Sequence, residues 1–149
     1  MARAADLMQL RRIAVIREVQ AASALALAAR AASDAAQSRD TLNDRARACR
    51  AAEDSWQAAL STPRLAVETL PFWSAALVRS EDGLRAALRD VETTEAARME
   101  CTQAFHAASK RREIAQATLR AARKARAARR DETAMQHASD QFPHRRESA

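Results

Sequence analysis

Thr62-Pro63-Arg64-Leu65-Ala66-Val67-Glu68-Thr69-Leu70-Pro71 is the one interior stretch of this 149-residue chain where helix formation is clearly interrupted. Pro63 lacks a backbone N–H and pushes Thr62 out of helical geometry, and Pro71 does the same to Leu70. Proline is, however, well suited to the first turn of a new helix. The reading is therefore a first helix over 4–61, a turn over 62–71 and a second helix over 72–139. Each arm is roughly 55 to 65 residues, about 80 to 100 Å at 1.5 Å per residue. The predicted fold class is all-α, a long antiparallel two-helix coiled-coil hairpin, with residues 140–149, after the periodicity fades and around Pro143, as a disordered tail.

Composition agrees with long helices. The chain is 48% apolar, but alanine supplies most of that share; Tyr is absent, and Phe and Trp together number five. One Gly and three Pro leave no material for the turns of a sheet protein. Alanine, arginine, glutamate and leucine are good helix formers.

A seven-residue repeat runs through each arm. In the first, one position reads Leu7, Ala14, Ala21, Ala28, Ala35, Leu42, Cys49 and Trp56. Three residues on come Leu10, Ala24, Ala31, Ala52 and Ala59, interrupted by Arg17, Ser38 and Arg45. The second arm repeats Leu70, Leu77, Leu84, Val91, Phe105 and Leu119, with Trp73, Ala87, Cys101, Ala108, Ala115 and Ala122 three residues later and Arg98 and Arg112 breaking the ladder. A sustained heptad implies left-handed supercoiling, and alanine in the seam brings helix axes near the low end of about 8 to 10 Å.

A turn centred near residue 66 pairs residues whose numbers total about 133. Large then meets small: Phe105 with Ala28, Leu119 with Ala14. Trp56 with Leu77 and Leu42 with Val91 form bulkier layers, while the stems of Arg98 and Arg112 lie over Ala35 and Ala21 with their charges reaching for water. Cys49 faces the region of residue 84 and Cys101 that of residue 32, so the two thiols do not meet and are expected reduced and packed. Gly83 in the second arm is open to three readings: a tolerated weak point, a close approach of a partner, or a turn at Ser80 to Gly83 in place of the prolines.

Net charge is +6, but residues 110 to 130 alone hold nine Lys or Arg and one acid, a local balance of +8. That stretch is either a solvated face or a contact for an acidic protein or polyanion. Near the turn, Trp56, Leu65, Val67, Leu70, Phe72, Trp73, Leu77, Leu84 and Leu88 cover a broader arc than a two-helix seam hides. Phe72 and Trp73 point about 100° apart, so at least one is exposed. Either the loop folds back into a local core, or an aromatic anchor awaits a partner protein.

Catalytic and cofactor signatures are missing. A single glycine excludes phosphate-cradling loops, and His106, His137 and His144 have no metal-binding spacing. No hydroxyl or thiol has a base beside it in the sequence, so the chain is expected to be no enzyme and to carry no cofactor. The longest apolar run, Ala24 to Ala29, is far short of the roughly 20 residues a membrane span needs. Arg17 and Glu18 cut through any signal-peptide core, and a cytoplasmic location is expected.

Three stretches resemble the FliJ and YscO family of type III secretion stalk proteins, with the injectisome YscO type the nearer. Leu10, Arg12, Val15, Arg17 and Ala21 are similar to the amino-terminal segment of the YscO type. Trp73, Leu77, Ser80, Leu84, Arg85 and Leu88 follow the flagellar spacing, and Arg126, Arg129 and Arg130 before Asp131 and Glu132 are similar to the close of the family's second helix. The resemblance implies a coiled-coil hairpin like the shaft of rotary ATP synthases. It would insert into a hexameric secretion ATPase at the base of a membrane apparatus and promote its activity, linking it to the export gate's cytoplasmic domain and to export chaperones. On the family pattern the gate-binding face falls on Trp73, Leu77, Ser80 and Leu84, the last a histidine in flagellar members. Charge and position, rather than a matched motif, make Arg123, Lys124, Arg126, Arg129 and Arg130 the ATPase-binding candidates. The alternative is a basic coiled coil that binds nucleic acid or serves as a scaffold, although the basic stretch has no aromatic side chains for base stacking.

Overall fold

The computed structural model describes residues 4–63 and 67–141. They form helix α1 (Ala4–Leu60, 57 residues), a 3-10 turn (Val67–Thr69) and helix α2 (Leu70–Gln141, 72 residues), with no strand among the described residues. The two helices pack against each other as an all-α hairpin. Arg64, Leu65 and Ala66, and the expected tail from residue 142 onward, lie outside the described residues.

Local chemistry explains where α1 stops. Thr62 precedes proline and leaves the helix, while Ser61 and Thr62 turn back on the last turn of α1. Their backbone N–H groups donate to Gln57 O at 3.0 Å and Ala59 O at 3.4 Å. Their hydroxyls donate to Gln57 O at 2.8 Å and Ala58 O at 3.0 Å. These bonds occupy carbonyls that a helix end otherwise leaves without partners. Pro71 sits in the first turn of α2, where its missing N–H costs nothing.

The chain comprises two compact units, Leu25–Ala104, which holds the turn, and Met1–Ala24 with Phe105–Ala149. In the turn unit the helices run antiparallel. Arg39 of α1 pairs with Glu95 of α2, their numbers totalling 134, and Arg98 Nε adds a second contact to Glu95 at 3.1 Å. Ala35 is 0% exposed and Ala87 4%. The Arg98 side chain is half-buried with its guanidinium on the Glu95 carboxylate, so the charge that interrupts the seam is met by a carboxylate one helical turn away. In the other unit Ala14, Ala21 and Leu119 are buried. There Arg112 plays the equivalent part less completely, for its Nε is buried with no hydrogen-bond partner. Cys49 is buried, Cys101 half-buried, and both are free thiols.

Burial follows the heptad closely. Stepping alternately three and four residues from Leu7 to Ala59, every α1 position is buried or half-buried except Arg45, whose place Ala46 takes. The same ladder from Leu70 to Ala122 on α2 has no exposed member. Among the described residues the buried apolar ones are Ala14, Ala21, Ala31, Ala35, Cys49, Ala87 and Leu119, so this core is built mostly of methyl groups rather than large side chains. Each methyl contributes on the order of 0.8 kcal/mol; the gain comes from close packing repeated along the helices.

Gly83 lies inside continuous α2 with no positive φ, which removes the reading of a turn at Ser80 to Gly83. Arg45 explains both itself and the glycine. Its side chain lies across Gly83, with Cδ 3.7 Å and Nη1 3.6 Å from where a Cβ would stand. Those are ordinary contact distances, so Gly83→Ala is expected to raise stability by about 1 kcal/mol, or about 2 to 4 °C in Tm, in a thermal melt followed by circular dichroism. An unchanged or lower Tm would mean that the glycine serves close approach at this point.

Candidate functional site

A groove lies in the unit formed by Met1–Ala24 and Phe105–Ala149. Leu7 and Met8 from α1 and Leu119 and Ala127 from α2 give it an apolar lining, while Arg11, Arg123, Arg126 and Arg130 supply guanidinium groups and Asp131 the one carboxylate. Helix periodicity assembles it. Positions 119, 123, 126 and 130 recur at steps of four and three and therefore share one face of α2; the antiparallel register brings Arg11 opposite Arg123, their numbers totalling 134. Past Ala122 the seam ends, and every described side chain from 123 to 139 is exposed.

The electrostatics of this groove are unbalanced. Ion pairs among the described residues involve Arg39, Arg47, Arg85 and Arg98, all in the other unit. None of the nine cations between Lys110 and Arg130 is within ion-pair distance of an acid among the described residues. Guanidinium groups held over an apolar floor suit carboxylates or phosphates, because the planar fork binds both oxygens at once while the stems pack against apolar surface.

Three of the five basic candidates, Arg123, Arg126 and Arg130, line this groove; Lys124 and Arg129 are exposed and lie outside its lining. Arg11 was not among them. It is separated from the basic stretch by a hundred residues of sequence, and only the antiparallel register joins them.

The four gate-binding candidates behave differently. Trp73, Leu77, Ser80 and Leu84 are all half-buried and occupy consecutive seam positions of α2, and the Ser80 hydroxyl donates to Leu77 O at 3.0 Å. Their larger faces are spent on packing within the hairpin. A partner reaching this region meets instead Leu60, Val67 and Phe72, which are 49%, 69% and 64% exposed beside the turn. Phe72 is the aromatic left outside, and its ring stands edge-on to Trp73 with centroids 5.5 Å apart and planes at 80°. Trp73 fixes that ring from the seam side.

No group of three or more His, Cys, Asp or Glu that could hold a metal occurs among the described residues, and no described helix is long and apolar enough to cross a membrane. Comparisons of the chain with protein-family models, with curated proteins and with solved structures found no match.

Like charges at three- and four-residue spacing on one helix face repel, at about 0.2 to 0.5 kcal/mol per pair. Arg126 stands in that relation to Arg123, Arg129 and Arg130. Arg126→Gln is therefore expected to stabilise the free protein by about 0.6 to 1.5 kcal/mol at low ionic strength, with most of the gain gone near 1 M salt, where screening acts within about 3 Å. Equal melting curves for the two proteins at low salt would show that the cations are already neutralised.

Proposed function

We propose that this chain is a non-enzymatic central stalk of a type III secretion system, related to the FliJ and YscO family. It works in the cytoplasm at the base of the membrane apparatus, inserts into the hexameric export ATPase, promotes its activity, and links it to the export gate and to export chaperones. The observation that carries this reading is the groove in which Arg11, Arg123, Arg126 and Arg130 border an apolar floor, with Asp131 the one carboxylate in the lining and no ion pair to any of the four among the described residues. Unbalanced charge of this kind leaves the free protein less stable than it could be, which is understandable if a partner supplies the carboxylates. An all-α hairpin of two helices packed on an alanine seam is also consistent with the fold that the family resemblance implies.

On this reading the ATPase contributes acidic side chains to the arginine groove. The gate side falls on the surface beside the turn, with Phe72 as anchor and Trp73, Leu77, Ser80 and Leu84 as the packed support that holds it in place. This modifies the division of labour within the gate face: the seam residues position and the outer aromatic binds.

Paired variants separate the two contacts. Arg126→Glu with Arg130→Glu should weaken binding to the hexameric ATPase by about tenfold or more, since charge reversal turns attraction into repulsion, and leave the affinity for the gate's cytoplasmic domain unchanged. Phe72→Ala should do the reverse, at about the 2 kcal/mol of a hot-spot residue. Titration calorimetry of each variant against each partner, with helix content checked in parallel, reads both. Loss of both contacts in either variant, at unchanged helix content, would contradict two separate sites.

A further inference from the structure

We propose that a second apolar stripe on α1, facing away from the seam, is a self-association surface on which a second copy of this chain docks antiparallel, centred near Val15. The proposal does not depend on the secretion reading. Met8, Val15 and Val19 are 70%, 56% and 63% exposed, and with exposed Ala22 they fall within about 60° of one another at 100° per residue. Ile16, 54% exposed, adjoins them. Single exposed apolar residues are normal on a protein surface, whereas apolar residues gathered on one face mark an interaction surface, and here Arg11 and Arg12 fill the interval between Met8 and Val15 in one shallow hollow with Ile16.

The pattern of size and charge selects the occupant. Arg11 and Glu18 are seven residues apart, so they lie on the same flank of the stripe, on either side of its midpoint. An antiparallel copy related by a two-fold axis near Val15 brings Arg11 of each chain against Glu18 of the other. It also sets bulky Met8 against small Ala22, Val15 against its own copy, and Val19 against the stem of Arg12. A parallel copy fails, because it puts Arg11 beside Arg12. Neither Arg11 nor Glu18 has an ion-pair partner among the described residues, so both are free to form the pair. The contact uses a few turns of one helix from each chain. That is on the order of 1,000 Å² in total or less, which corresponds to a reversible dimer. Because Met8 and Arg11 also line the arginine groove, the dimer covers part of it, and self-association and occupation of the groove compete.

Sedimentation equilibrium on the full chain, from about 1 to about 100 µM, tests this. The average mass should rise from 16.4 kDa toward twice that value with concentration. Glu18→Arg should weaken the dimer about tenfold or more by setting arginine against arginine twice, and Arg11→Glu combined with Glu18→Arg in the same chain should restore it. Val15→Lys, which brings two ammonium groups together on the two-fold axis, gives a second disruption independent of the ion pair. Circular dichroism on each variant establishes that the helices persist. A mass fixed at 16.4 kDa across the range, a dimer indifferent to Glu18→Arg and Val15→Lys, or a double exchange that fails to restore association overturns the proposal.

Discussion

Close approach of two alanine-lined helices is the constraint on which the rest of this structure depends. With Ala14, Ala21, Ala31, Ala35 and Ala87 buried and Leu119 the one large side chain among them, little volume is enclosed and little apolar surface can be hidden. Two consequences follow from that geometry. Bulky residues that the seam cannot take are left on the outside, as Phe72, Ile16 and Val19 are. Charged residues that fall on the seam must find an outlet, and the chain solves this in different ways in its two units. Arg98 meets Glu95, which Arg39 also holds, whereas Arg112 buries an N–H group without a partner. A buried donor without an acceptor typically costs about 1 to 3 kcal/mol, a cost that the Arg98 guanidinium avoids through Glu95. The unit that holds Arg112 is also the one whose cations have no ion-pair partner among the described residues, and the one with the second apolar stripe. Stability has been given up where contact with other molecules is proposed, the usual relation between fold and binding surface.

Much of the architecture was legible in the sequence because it rests on periodicity and on proline. The seven-residue ladders of α1 and α2 coincide with the buried positions, down to arginines such as Arg17 and Arg98 that lie on the seam half-buried. The fit fails at Arg45, because a long side chain can leave its ladder position and lie across a neighbour, and Gly83 offers the space for it. Gly83 and Arg45 are two halves of one local solution, which no reading of either residue alone could give.

The surfaces were less legible. That Phe72 or Trp73 must be exposed follows from helix geometry, but which one depends on the phase at which α2 meets α1. A family spacing that names Trp73, Leu77, Ser80 and Leu84 identifies residues at alternating steps of four and three, and such residues share one face, here the seam. Their spacing therefore reports packing as strongly as it reports binding. The arginine groove was half visible: the run from Arg123 to Arg130 stands out by charge, while Arg11 joins it only through the antiparallel register. Lys124 and Arg129 belong to the same charge run and yet lie outside the groove, because a charge count has no helical phase.

The central proposal is that this protein acts on a hexameric secretion ATPase as a single shaft, and the most direct measurement is the rate of ATP hydrolysis by the secretion ATPase of the same organism as this protein is titrated, at low and at moderate salt. The expected result is stimulation that saturates at far fewer copies of this protein than ATPase protomers and weakens as salt screens the arginine groove. A rate that does not change at any ratio, together with salt-sensitive retention of DNA or RNA by the same protein, would contradict it and identify the unpaired arginines as a polyanion-binding face instead.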